Sequence, residues 1–107
     1  MNDTVIDEAM RIGGVRGVAV VGASGKVSAA SGAAGELSHF FEMLFAAALP
    51  HARDAAALSL RRIVVRTDRD EVFSLLMERA EALGLVSEKW RPVTELCADL
   101  EALLARN

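Results

Sequence analysis

Apolar residues along this chain change their spacing in a way that marks out helices and strands in turn. Val5, Ile6, Ala9, Met10 and Ile12 recur at helical intervals behind the cap-type residues Asn2, Asp3 and Thr4, predicting a short helix that ends at Gly13-Gly14. Val18–Val21 is apolar at every position, so both faces of the segment need cover, and it predicts an internal strand. Lys26–Ala30 is smaller and more polar and predicts a strand returning along the first. Leu37, Phe40, Phe41, Leu44, Phe45, Ala48 and Leu49 then fill an amphipathic helical stripe. Arg61-Arg-Ile-Val-Val-Arg66 is β-branched at its centre and predicts a strand whose flanking arginines suit a sheet edge. Pro92 opens a last helix with Val93, Leu96, Cys97, Leu100, Leu103 and Leu104 on one face.

Two segments do not fit a simple amphipathic pattern. In the second helix Met43, Ala46 and Ala47 lie outside the stripe and are also apolar, leaving Ser38, His39 and Glu42 as the polar residues between Leu37 and Leu49. That is more apolar surface than one sheet face covers, and it predicts a second packing partner. The segment Glu71–Trp90 matches two templates. Val72, Leu75, Leu76, Ala80 and Leu83 suit a helix with Gly84 as its cap, whereas Phe73, Leu75 and Met77, then Leu83 and Leu85, suit two short strands joined near Arg79–Glu81. The local pattern leans to the helix.

Composition narrows the class. A chain of 107 residues with 52% hydrophobic residues suits one domain over 1–107 with a single core. Its net charge of −3 offers no basic field for nucleic acid or an acidic membrane. The lone Cys97 excludes an internal disulfide and favours a reducing, cytoplasmic setting. An acidic N-terminus lacks the pattern of a secretory signal, and the strongly apolar stretch Phe40–Leu49, broken by Glu42 and stopped by Pro50, is far short of the roughly 20 residues that span a bilayer, so no membrane insertion is expected.

The glycine-bracketed loop Gly22–Lys26 resembles a phosphate cradle only superficially. A phosphate loop requires glycine and a hydroxyl residue where Val20 and Val27 stand. A dinucleotide fingerprint starting at Gly22 has Ser24 at its second glycine, and a nucleophile elbow on Ser24 ends in Lys26. The loop reads as a hairpin turn with Lys26 in solvent. His39 and His51 lack partners at metal-ligand spacing, and Asp68–Glu71 reads as a charged turn. Cys97 lies on an apolar stripe, and Trp90 reads as a packing anchor. Nothing here assembles a catalytic group, a metal site or a cofactor site.

Val15-Arg-Gly-Val-Ala-Val-Val-Gly-Ala-Ser-Gly-Lys-Val-Ser-Ala-Ala-Ser31 resembles the first hairpin of the Roadblock/dynein light chain family, and the long apolar helix after it matches too. Leu60-Arg-Arg-Ile-Val-Val-Arg-Thr-Asp-Arg-Asp-Glu-Val-Phe-Ser-Leu-Leu76 resembles the family's third and fourth strands, and Ala82–Val86 its fifth. Gly22, where the family carries an acidic residue or asparagine, and Pro50 in the second helix depart from the pattern. The resemblance implies an α/β, profilin-like fold. Its five-stranded antiparallel sheet would be sandwiched between one long helix and the terminal helices, with Glu71–Trp90 as strands. It also implies a homodimer or heterodimer formed by edge-to-edge third strands and side-by-side second helices. Bacterial members act with small Ras-like GTPases as regulators. The expected interface is Phe40, Met43, Leu44 and Ala47 on the helix with Ile63, Val64 and Val65 on the strand. The expected function is a non-catalytic, dimeric scaffold for a small Ras-like GTPase. The alternatives are a peptide-binding assembly or cytoskeletal adaptor and a small-ligand module using the Gly22–Lys26 loop.

Overall fold

Residues 3–52, 61–78 and 80–106 are described by a computed structural model of the chain. Asp3–Met10 (α1) buries Val5, Ile6 and Ala9. Val15–Val21 (β1) and Val27–Gly32 (β2) form the first hairpin. Its turn is closed by Gly22 N–H donating to the Lys26 carbonyl and Gly25 N–H to the Gly22 carbonyl, both at 2.9 Å. Gly25 has φ 86°, a left-handed conformation that costs glycine little and other residues much. A short 3-10 turn over Ala33–Leu37 leads into the long helix Ser38–Ala52 (α2). Arg62–Arg66 (β3), Glu71–Glu78 (β4), Glu81–Glu88 (β5) and Val93–Arg106 (α3) follow.

The strands form an antiparallel sheet in the order β2-β1-β5-β4-β3. β1 is internal, as its unbroken apolar run predicts, and β2 and β3 are the edges. One face carries Val18, Val20, Leu76, Leu83 and Leu85 against α1 and α3; the other carries Ala19, Val21, Leu75, Met77 and Val86 against α2. This is the implied sandwich, with the long helix and the 3-10 turn before it on one side and the terminal helices on the other.

The structure corrects three local readings. Glu71–Trp90 holds β4 and β5 rather than the helix its pattern leans to. β4 is buried on both faces, Val72 and Leu76 toward the terminal helices and Leu75 and Met77 toward α2, and such a strand loses the alternation that separates it from a helix. Pro50 lies inside α2, which runs to Ala52; proline removes a bond to the carbonyl of Ala46, whose residue is exposed. Trp90 is not a packing anchor, being 65% exposed with its indole N–H donated to the Glu88 carboxylate. The alanine-rich stretch 53–60 between α2 and β3 lies outside the described residues. Among those residues no helix is long and apolar enough to cross a membrane.

Candidate functional site

Two contacts fix the rotation of α2 about its own axis. Phe40 meets Phe73 of β4 edge-on at 5.2 Å, and the half-buried Glu42 carboxylate accepts the Val27 N–H at the start of β2 at 2.8 Å. The helix is thus pinned toward β4 on one flank and toward β2 on the other, over a buried pole of Phe41, Phe45 and Ala48. The opposite pole is exposed and almost wholly apolar: Met43 at 60%, with Ala46, Ala47 and Pro50. This is the surplus that the sequence pattern predicts. At about 100° per residue, Leu44, Phe40, Ala47 and Met43 fall in that order across about 100° of circumference, all on the flank facing β4 and the β3 edge. Phe40 and Leu44 are half-buried against the core, whereas Met43 and Ala47 stand in solvent.

Strand β3 divides the other expected residues between two faces. Ile63 packs with the α2-side core and Val65, opposite Phe73, shares that face. Val64, 37% exposed, lies on the α3 side with Arg62 and Arg66. Backbone polarity follows the same parity. Met77 N–H donates to the Arg61 carbonyl at 2.7 Å, and the register aligns Ile63 with Leu75 and Val65 with Phe73. In an antiparallel ladder the bonded pairs alternate, so Ile63 and Val65 bond inward to β4. Arg62, Val64 and Arg66 therefore present their N–H and C=O groups outward. This division of labour is not visible from the run Arg61–Arg66 alone, because it depends on the partner register.

The other candidates resolve simply. In the Gly22–Lys26 loop the amides of Gly22 and Gly25 are engaged in the hairpin, and Lys26 is exposed. Cys97 on α3 is a free, buried thiol. His39 and His51 are exposed. The charged turn is held by Thr67, whose hydroxyl donates to the Glu71 carbonyl at 2.8 Å and accepts the Arg69 N–H at 3.2 Å. Among the described residues no group of three or more His, Cys, Asp or Glu could hold a metal ion. What the site offers, among the described residues, is an open strand edge beside an exposed apolar helix flank, an arrangement suited to protein association.

No protein-family model matches the chain, and no curated sequence is significantly similar to it. Solved structures are similar in fold. A Roadblock/LC7 domain from Streptomyces avermitilis superposes with a TM-score of 0.75 at 13% identity, covering 98% of this chain and 92% of that one. Myxococcus xanthus MglB gives 0.74 at 9% identity, covering 97% and 91%. The gliding protein MglB of Thermus thermophilus gives 0.68 at 19% identity, covering 96% and 84%. The chain therefore has the Roadblock fold.

Proposed function

We propose that this chain is a non-catalytic, dimeric regulatory scaffold of the bacterial Roadblock type that binds a small Ras-like GTPase in the cytoplasm. The observation that carries the reading is the juxtaposition of the outward-bonding β3 edge with the exposed flank of α2. A second copy related by a two-fold axis normal to the sheet would continue the sheet through β3 and bring the two α2 helices together, covering Met43 and Ala47 in one step. The likeness in fold to a Roadblock/LC7 domain and to MglB supports the bacterial Roadblock type, and it is the family resemblance that implies a small Ras-like GTPase as partner. A further MglB structure, at 16% identity with a TM-score of 0.72 over 94% of this chain and 79% of that one, is described as a tetrameric arrangement, which supports assembly through this fold.

Two measurements test the reading in order. Light scattering at micromolar concentration is expected to give twice the chain mass, and Val64→Pro to give the chain mass, since proline cannot donate across the edge. A titration against a small Ras-like GTPase from the same organism is expected to show binding that depends on whether the GTPase holds a GTP analogue or GDP. A wild-type monomer would remove the dimer, and binding of neither nucleotide form would remove the partner.

A further inference from the structure

On the α3 side of the sheet, β3 projects past the cover of the terminal helices. Between it and the start of α3 runs an open groove of about 580 Å³, lined by Arg62, Val64 and Arg66 on one wall and Pro92, Val93 and Thr94 on the other. Its chemistry is polarised. Arg62 and Arg66 are both exposed, and neither guanidinium has a hydrogen bond or ion pair among the described residues. The acidic side chains of the first two turns of α3 leave them unneutralised, because Glu95 and Asp99 are both held by Arg91, Glu95 at 3.3 Å.

The opposite wall adds positive character of a different kind. Leu96 N–H donates to the Pro92 carbonyl at 3.0 Å, which places Pro92 at the cap of α3. A proline side chain has no oxygen with which to accept the N–H groups of the first turn, and those groups carry the positive end of the helix dipole. Two arginines without a partner among the described residues and a helix start whose capping residue has no side-chain acceptor thus converge on a floor made of Val64 and Val93.

We propose that this groove docks an extended, acidic segment of a partner protein in which two carboxylates bracket one aliphatic side chain. The spacing follows from the strand. Arg62, Val64 and Arg66 alternate on one face, so Arg62 and Arg66 stand about 13 Å apart with Val64 midway. An extended segment places side chains i, i+2 and i+4 on one face with the same pitch, so acid, aliphatic and acid fall on Arg, Val and Arg. The aliphatic floor distinguishes such a segment from nucleic acid, which brings charge without an alkyl side chain. The groove lies on the sheet face, while Arg62 and Arg66 also border the edge of the proposed β3 pairing, so assembly is read alongside docking.

The test is fluorescence anisotropy on the full chain with a labelled peptide containing Glu-Ser-Leu-Ser-Glu. Saturable binding is expected, weakened about tenfold or more when both acids become Gln, when Leu becomes Ser, or in Arg62→Gln/Arg66→Gln. Raising salt from about 50 to about 300 mM is expected to weaken it further. Melting curves of the double variant should match wild type, since both side chains are exposed, and light scattering on the same samples keeps assembly separate from docking. Absence of saturable binding, indifference to the arginine substitutions in a folded variant, or tighter binding of an oligothymidylate than of the peptide would each overturn the proposal.

Discussion

Substituting Gly84 tests how α2 is seated. Gly84 lies in the middle of the sheet, between Ala19 of β1 and Leu75 of β4, and the ring of Phe41 rests on it. A Cβ at this position would lie 2.6 Å from Phe41 Cδ1 and 2.9 Å from both Cε1 and Cγ. Favourable carbon contacts begin near 3.5 Å, so the overlap is about 0.9 Å, and Phe41 is fully buried. Overpacking of this kind costs about 1–3 kcal/mol. Loss of glycine's freedom in the unfolded chain offsets about 0.4–1 kcal/mol. Gly84→Ala is therefore expected to destabilise by about 1–2 kcal/mol, a fall of roughly 5–10 °C in Tm for a domain of this size. Urea unfolding followed by far-UV circular dichroism, at one fixed protein concentration, measures it. The decisive quantity is the coupling to Phe41→Leu: the double variant should be more stable than the sum of the singles by about 1 kcal/mol. An unchanged Tm for Gly84→Ala, or strict additivity, would refute the seating of Phe41 on β5 and with it the orientation that exposes Met43 and Ala47.

Other outcomes follow from the same geometry. Val65→Pro should destabilise the fold by about 3 kcal/mol, because its N–H bonds inward to β4, whereas Val64→Pro should spare the monomer fold and affect assembly alone; thermal melts and light scattering on both variants separate the two. Met43→Glu with Ala47→Glu should leave monomer stability within about 0.5 kcal/mol and weaken self-association about tenfold or more, read by sedimentation. Glu42→Ala should cost about 1.5–3 kcal/mol by stranding the Val27 N–H, and Glu42→Gln, which keeps an acceptor, should recover much of it in urea melts.

The parts of this fold that were legible in the sequence are those where one residue type meets one environment. β1 announces its internal place because every residue from Val18 to Val21 is buried, and the surplus on α2 is real because Met43, Ala46 and Ala47 are exposed. Position-by-position reading fails where burial has no polarity. Val72, Leu75 and Leu76 serve a strand between two helical layers and would serve a helix equally well. Glu42 reads as a surface charge on its own helix, and only the fold brings it to Val27, 15 residues away in sequence. Arg62 and Arg66 read as guards of an edge, and their shared face with Val93 follows from how far α3 reaches across the sheet.

The parity of β3 reaches further than the strand itself. A two-fold axis normal to the sheet keeps like faces together, so paired β3 edges can be centred on a residue but never between residues. Centred on Val64, each Arg62 would stand opposite Arg66 of the partner subunit, and added salt would tighten the dimer by screening like charges. Centred on Val65, each Arg62 would stand opposite Asp68 of the partner subunit, and added salt would loosen it. The sign of the ionic-strength dependence of association thus reads out a molecular register to the residue, without a structure of the assembly.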